Sequence, residues 1–149
     1  PGFNSGWLPI MGMAPATLPT LVQFGPVNTY SNPEFVWQKP VAVTAIHFLR
    51  GNGLGASYLN ACLVGDANLG KLYRFPLNSN RTEFALTGVL SDRVLNIGES
   101  DQQILLGNGF VGVMNMTTGP DGNLYVVTYE TVYRVRSNQT AVGDWELYQ

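Results

Sequence analysis

Charge is scarce in this sequence. Ten acidic and 8 basic residues among 149 make up 12% of the chain, about half the roughly 25% of a typical soluble domain. A net charge of −2 supplies no basic field to neutralise phosphates, which excludes nucleic acid as a partner. Disorder is excluded as well, because disordered chains are charge-rich and poor in aromatics, whereas 11% of these residues are aromatic. The single cysteine, Cys62, rules out an intrachain disulfide and a cysteine-based zinc cluster. The single histidine, His47, removes multi-histidine metal sites, and a Cys–His dyad would have to join Cys62 to His47.

Residues 1–33 carry no charge, yet they do not read as a membrane span. Pro1, Pro9, Pro15, Pro19, Pro26 and Pro33 interrupt the stretch, leaving no apolar run of about 20 residues to cross a bilayer as helix. A basic segment followed by an apolar one, the mark of a signal peptide, does not occur here. The chain opens at Pro1 rather than Met, as expected of a processed end or a piece of a longer protein. Helical periodicity is missing too, with no window repeating apolar residues at i, i+3, i+4 and i+7.

Short β-rich runs bounded by Gly, Asn, Asp and Pro take its place. Strands are predicted at Val41–Leu49, Ala61–Val64, Lys71–Pro76, Glu83–Val89, Gln103–Leu106, Val111–Thr117, Asn123–Tyr129, Thr131–Arg136 and Trp145–Tyr148. The 17 Gly and 9 Pro supply the tight turns between them. The fold class is all-β.

An internal repeat about 60 residues long is visible. Leu72-Tyr73-Arg74-Phe75 leads into Asn80-Arg81-Thr82, and Val132-Tyr133-Arg134-Val135 into Asn138-Gln139-Thr140. Each copy follows an apolar strand, Cys62-Leu63-Val64-Gly65-Asp66 or Leu124-Tyr125-Val126-Val127-Thr128. Repeated four-stranded sheets are the signature of a β-propeller, whose blades cover their faces by stacking on neighbours. A β-sandwich would give the same density of short strands. The expected division is a loop-rich segment with a partial blade at 1–40, a blade at 41–100 and a last blade at 101–149.

Most local motifs read as architecture. Gly119-Pro120-Asp121-Gly122-Asn123 is a hairpin turn and lacks the spaced carboxylates of a calcium loop. Gly65-Asp66-Ala67-Asn68-Leu69-Gly70-Lys71 precedes a strand rather than a helix, so it is a turn and not a phosphate loop. Asp66 and Asn68 could still point into a ligand cavity at the strand end. Alternation sets Ala45, His47 and Leu49 opposite Ile46 and Phe48, and His47 has no carboxylate near it in sequence. Cys62, inside an apolar strand, is expected to be inert. Three glycosylation sequons occur, at Asn80, Asn115 and Asn138, with Asn115 inside a strand. One thiol, few charges and abundant Asn suit an extracytoplasmic protein, whether secreted, periplasmic or at the cell surface.

Four segments in order resemble the second half of the quinoprotein glucose/sorbosone dehydrogenase family, and its archaeal-type members in particular. They are Pro1-Gly2-Phe3-Asn4-Ser5-Gly6-Trp7, Trp37-Gln38-Lys39-Pro40-Val41-Ala42-Val43-Thr44, Leu63–Arg74 and Gly119–Thr128. The resemblance implies a six-bladed propeller around pyrroloquinoline quinone (PQQ) with calcium. Its implied activity is aldose oxidation, in which a base takes the hydroxyl proton while hydride passes to the quinone. The family's base His, calcium site and one cofactor Arg lie upstream of the first segment, so this chain carries no catalytic residue and no metal ligand.

The resemblance places an Arg-x-Arg pair at Gly112 and Met114, a cofactor Lys at Asn68, and, offset by one residue, a quinone-covering aromatic at Trp37. With Asp66, the candidate cofactor-facing positions are therefore Trp37, Asp66, Asn68, Gly112 and Met114. Three of them lack the cation that quinone carboxylates need when buried. The expectation is half of a dehydrogenase-like propeller, inactive alone, whose partners are the missing blades or further copies of itself, with a sugar as ligand. Two alternatives stand beside it: a non-catalytic propeller module that binds glycan or protein, and a self-associating structural subunit.

Overall fold

The computed structural model describes Phe3–Asn4, Thr29–Tyr30, residues 32–137 and Trp145–Tyr148. The Asn138 sequon and most of the segment from Pro1 to Trp7 lie outside the described residues. Six strands come first in chain order: β1 (Phe3–Asn4), β2 (Thr29–Tyr30), β3 (Val36–Trp37), β4 (Val43–Phe48), β5 (Ala61–Asp66) and β6 (Leu72–Pro76). Six follow: β7 (Val94–Leu95), β8 (Leu105–Gly107), β9 (Val113–Thr118), β10 (Leu124–Thr128), β11 (Val132–Ser137) and β12 (Trp145–Tyr148). Only two short 3₁₀ turns, Ala56–Tyr58 and Gly88–Leu90, interrupt this pattern among the described residues. The chain is all-β.

The chain divides into two compact units. One, drawn from Pro1–Pro40 and Thr87–Glu99, holds two parallel pairs, β1 with β2 and β3 with β7. Backbone bonds from Val36 to Arg93 (2.9 Å) and from Gln38 to Leu95 (3.0 Å) extend the second pair.

The other unit, Val41–Leu86 with Ser100–Gln149, holds two four-stranded antiparallel sheets ordered β4-β5-β6-β8 and β9-β10-β11-β12. These are the four-stranded blades of a partial propeller. In each the strands lie in chain order, the first sheet passing over β7 between β6 and β8, and sheets of this kind cover their faces by stacking on neighbours. All six residues of β5 are buried, which is why this strand is apolar without alternation. In β11 buried Tyr133 and Val135 alternate with exposed Val132, Arg134 and Arg136, the period-two pattern of a half-covered strand.

The two copies of the sequence repeat hold the same rank in their sheets. Cys62 faces Phe48 and Phe75, while Leu124 faces Thr118 and Val135. Both first strands carry a register shift at the same point: Thr44 is skipped between Val43↔Asp66 and Ala45↔Gly65, and Met114 between Val113↔Thr128 and Asn115↔Val127. β4, β5 and β6 are thus matched residue for residue by β9, β10 and β11.

Between the sheets lies one apolar core. Ala45, Leu49, Leu54, Leu63 and Leu72 meet Val113, Met116, Leu124, Val126, Tyr133 and Val135. Each fully buried aliphatic side chain there contributes roughly 1.5–3 kcal/mol. Phe110 closes one side, edge-on to Tyr133 at 5.4 Å. Gly65 lets the sheets approach, since a Cβ there would strike the Val113 side chain. Thr44 Oγ1 donates across the seam to the Val113 carbonyl.

One predicted strand does not form. Asn78 Oδ1 accepts the Thr82 N–H at 2.9 Å, and Arg81 adopts φ 58°, so the chain turns sharply after β6. Within Glu83–Val89 only Phe84 makes a bridge, to Leu77, while its ring stacks on Phe75 at 4.7 Å. Gly88, at φ 58°, then opens a 3₁₀ turn. The fourth strand of the first sheet is instead β8, which comes from beyond residue 100 and pairs with β6 through Leu72↔Gly107 and Tyr73↔Leu105. The Phe84 side chain serves packing rather than a ladder.

Candidate functional site

Asp66 ends β5, fully buried. Its carboxylate accepts three backbone N–H groups: Ala42 (3.0 Å) and Asn68 (2.9 Å) on Oδ1, and Leu69 (3.1 Å) on Oδ2. An ionised carboxylate offers about four acceptor positions, so Asp66 is nearly saturated by the turn it shapes and by the lead into β4. The Ala67 N–H donates back to the Ala42 carbonyl at 2.9 Å. The residue acts as a buried turn clasp rather than a ligand to something outside the chain.

Asn68 stands at the tip of that turn with an exposed, neutral side chain. Lys71, the nearest cation along the chain, is engaged by Asp101 at 2.6 Å. Gly112 lies beside the same turn, where a Cβ would come 3.0 Å from the Ala67 carbonyl oxygen. It is buried, its φ is 69°, and a Cβ would run into the Tyr129 ring. An L side chain is therefore refused both by the backbone conformation and by the ring. Met114, at the bulge of β9, is 37% exposed.

Asp66, Asn68 and Gly112 are thus brought together at one end of the two sheets, with Met114 two residues on. Trp37 belongs to the other unit, on β3, half-buried, with its ring edge-on to Phe35 at 4.8 Å.

These positions do not fit PQQ. Its carboxylates, once buried, need cations or a metal. At Gly112 the chain has no room for an arginine, Asn68 and Met114 are uncharged, and the Asp66 carboxylate would repel an anion. No step through the quinone is derived from them. Among the described residues no three His, Cys, Asp or Glu side chains group as metal ligands, and no helix is long and apolar enough to cross a membrane.

His47 and Cys62 do not form a dyad. Phe48, not His47, faces Cys62 across the ladder, so the two side chains lie on opposite faces of the first sheet. Burial pushes the Cys62 thiol up to about 11. His47 turns instead to the second sheet, its Nε2 2.7 Å from Thr118 Oγ1. Burial, and then the Arg50 charge, lower its pKa. Thr118 is absent from the sequence-derived candidates because nothing local marks a partner 71 positions away. The strand repeat, by contrast, does point to Thr128 as the counterpart of Asp66.

The Gly119–Asn123 turn closes as its residues predict, with the Gly119 N–H on the Asn123 carbonyl (2.9 Å) and the Asn123 N–H on Asp121 Oδ1 (3.1 Å). The Asn123 amide and the Tyr125 hydroxyl both donate to Asp121 Oδ2, at 2.9 and 3.0 Å. Led by the Asn123 side chain, these bonds hold the exposed Asp121 carboxyl below its ordinary pKa. Arg134 stands 3.7 Å away. This is a self-satisfied turn. No family model, no curated protein and no solved structure matches the chain.

Proposed function

We propose that this chain is a non-catalytic propeller module, two consecutive blades whose work is to bind neighbouring blades or a protein or glycan partner, rather than the redox half of a sugar dehydrogenase. The observation that carries this reading is Gly112. Where the resemblance implies a quinone-binding cation, the backbone adopts φ 69° beneath the Tyr129 ring. Restoring that cation would require rebuilding the turn, not exchanging one side chain. The saturation of Asp66 by three backbone donors supports the same reading.

An extracytoplasmic setting is part of the proposal. It is supported by the low charge, the single buried thiol and the exposed Asn80 sequon in the turn after β6. The test is a direct assay of the 149-residue chain with added PQQ, calcium, an aldose and an artificial electron acceptor, alongside quinone titration followed by tryptophan fluorescence. No turnover and no saturable quenching are expected. Turnover, or stoichiometric quinone binding, would return the chain to the dehydrogenases.

A further inference from the structure

Two Asn-Gly pairs occur in the chain, in nearly the same local sequence: Gly51-Asn52-Gly53-Leu54 and Gly107-Asn108-Gly109-Phe110. Asn followed by Gly is the pair in which the backbone most readily attacks the side chain, because no Cβ on the second residue stands in the way. The Asn side chain is exposed in both pairs. The two glycine N–H groups, which carry the attacking nitrogen, have opposite surroundings.

Gly53 is clamped. Its N–H donates to the Gly122 carbonyl at 3.0 Å, and its own carbonyl accepts the Ser137 N–H at 3.0 Å. A Cβ on Gly53 would come within 2.5 Å of the Gly122 carbonyl oxygen and of Asn123 Oδ1. The Asn52 carbonyl is held as well, accepting the Gly55 N–H at 2.7 Å. Gly109 has none of this. Its N–H meets no acceptor among the described residues, and a Cβ there would have nothing within 4 Å. Its φ of 86° lies in the region that glycine enters freely. Anchors stand on either side: Gly107 pairs with Leu72 in the ladder, and the Phe110 N–H donates to the Gly70 carbonyl at 3.1 Å.

We propose that Asn108 is a site of self-modification, converting to aspartate and isoaspartate through a cyclic imide, while the fold protects Asn52. The Gly109 backbone nitrogen, on losing its proton, attacks Asn108 Cγ. A C–N bond forms, the bond from Cγ to the side-chain nitrogen breaks, and ammonia leaves. Water then opens the imide at either carbonyl, so an amide is exchanged for an acid with no change of oxidation state. Opening at the backbone carbonyl gives isoaspartate and lengthens the main chain by one carbon, between the Gly107 pairing and the Phe110 anchor. That span joins the first sheet to the second. Either product also places a negative charge within residues 102–120, which carry none. The reaction needs only this chain and water, so its outcome is separate from any quinone or partner assay.

The test follows the 149-residue chain, folded and in concentrated urea, over days at neutral and mildly alkaline pH. Peptides bearing Asn52 or Asn108 are separated and read by mass spectrometry for the amide-to-acid exchange and for isoaspartate. In the folded chain, conversion at Asn108 is expected to run at least about tenfold faster than at Asn52, whose attacking nitrogen must first give up a hydrogen bond. Both rates should rise with pH. In urea they should converge, because the neighbouring residues are nearly the same. Asn108→Gln should silence the site, since the longer side chain forms the ring poorly, and leave the Asn52 rate unchanged. Equal rates in the folded chain overturn the proposal, as does an Asn108 that stays an amide there while converting in urea. A difference that persists in urea overturns it too, because it would belong to the local sequence rather than to the fold.

Discussion

Asp66 and Thr128 occupy the same place in consecutive sheets and perform the same task with different chemistry. Asp66 accepts the N–H groups of Asn68 and Leu69, two and three residues on; Thr128 Oγ1 accepts those of Glu130 (3.4 Å) and Thr131 (3.0 Å). Both are buried polar residues at the end of a second strand, where the hairpin to the third would otherwise leave donors unpaired. Only the carboxylate has capacity to spare, and with it Asp66 also holds Ala42, in the lead to β4.

The two clasps should therefore differ in what their loss costs. Asp66→Ala leaves three backbone N–H groups without their acceptor and is expected to destabilise the chain by about 2–3 kcal/mol. Thr128→Ala should cost about 1 kcal/mol. Asp66→Asn keeps one acceptor oxygen and should fall between them. Urea unfolding midpoints measure the order, and an Asp66→Ala chain as stable as the parent would show that the clasp is dispensable.

Acid should weaken the seam between the sheets through His47. Its folded pKa is depressed below 6.5 by burial and by Arg50. The unfolded chain therefore binds the proton first, and the lost stability is confined to the interval between the two values. Melting temperature is expected to fall as pH drops through about 6.5 and to level off below the folded value. Replacing His47 with Gln, which can still reach Thr118, should flatten that fall. An unchanged pH profile in H47Q would assign the effect to other groups.

Gly112→Ala is expected to cost about 1–3 kcal/mol, because φ 69° disfavours a side chain and the Tyr129 ring blocks one. Tyr129 is itself an exposed residue, so Tyr129→Ala alone should cost little. Combining the two should recover the steric part and leave the backbone part. Chemical denaturation of the single and double variants separates these contributions. Full recovery in the double variant would mean that the ring alone selects glycine.

Cys62 should be silent to thiol reagents in the folded chain. It is buried on an interior strand, with its thiol pushed up to about 11, so thiolate is scarce and shielded at neutral pH. Labelling by a disulfide reagent is expected to be at least a hundredfold slower in buffer than in concentrated urea. Equal rates in the two would mean that β5 opens readily.

Where the sequence located strands well, the reason is visible in burial. β5, β10 and β11 have both neighbours in a ladder, and their apolar runs or alternation record that environment directly. Turn chemistry was equally legible: Gly119-Pro120-Asp121-Gly122-Asn123 closes its hairpin through its own side chains. Glu83–Val89 misled because Phe84 and Leu86 stand two apart as strand residues do, while Phe84 serves a different purpose, covering Phe75. The strand that does complete the first sheet, β8, is three residues long, too short to leave a periodic signature.

The candidate site separates along the same line. The turn after β5 picked out Asp66 and Asn68, resemblance picked out Asn68 and Gly112, and the fold does assemble the three at one end of the sheets. What they do there depends on distances that no spacing encodes. Asp66 is committed to backbone donors 24 residues before it and two and three residues after it. Gly112 is pinned by a ring 17 positions on.

The sequence by itself determined the β class, the repeat and the turns, because period-two patterning and glycine placement are local properties. Only the tertiary structure decided which face of each sheet is spent on its neighbour and which is left open. It alone set His47 against Thr118, and it left no room for a cation at Gly112. Those outcomes depend on how sheets stack, and stacking is fixed by shape across the seam rather than by any one stretch of chain.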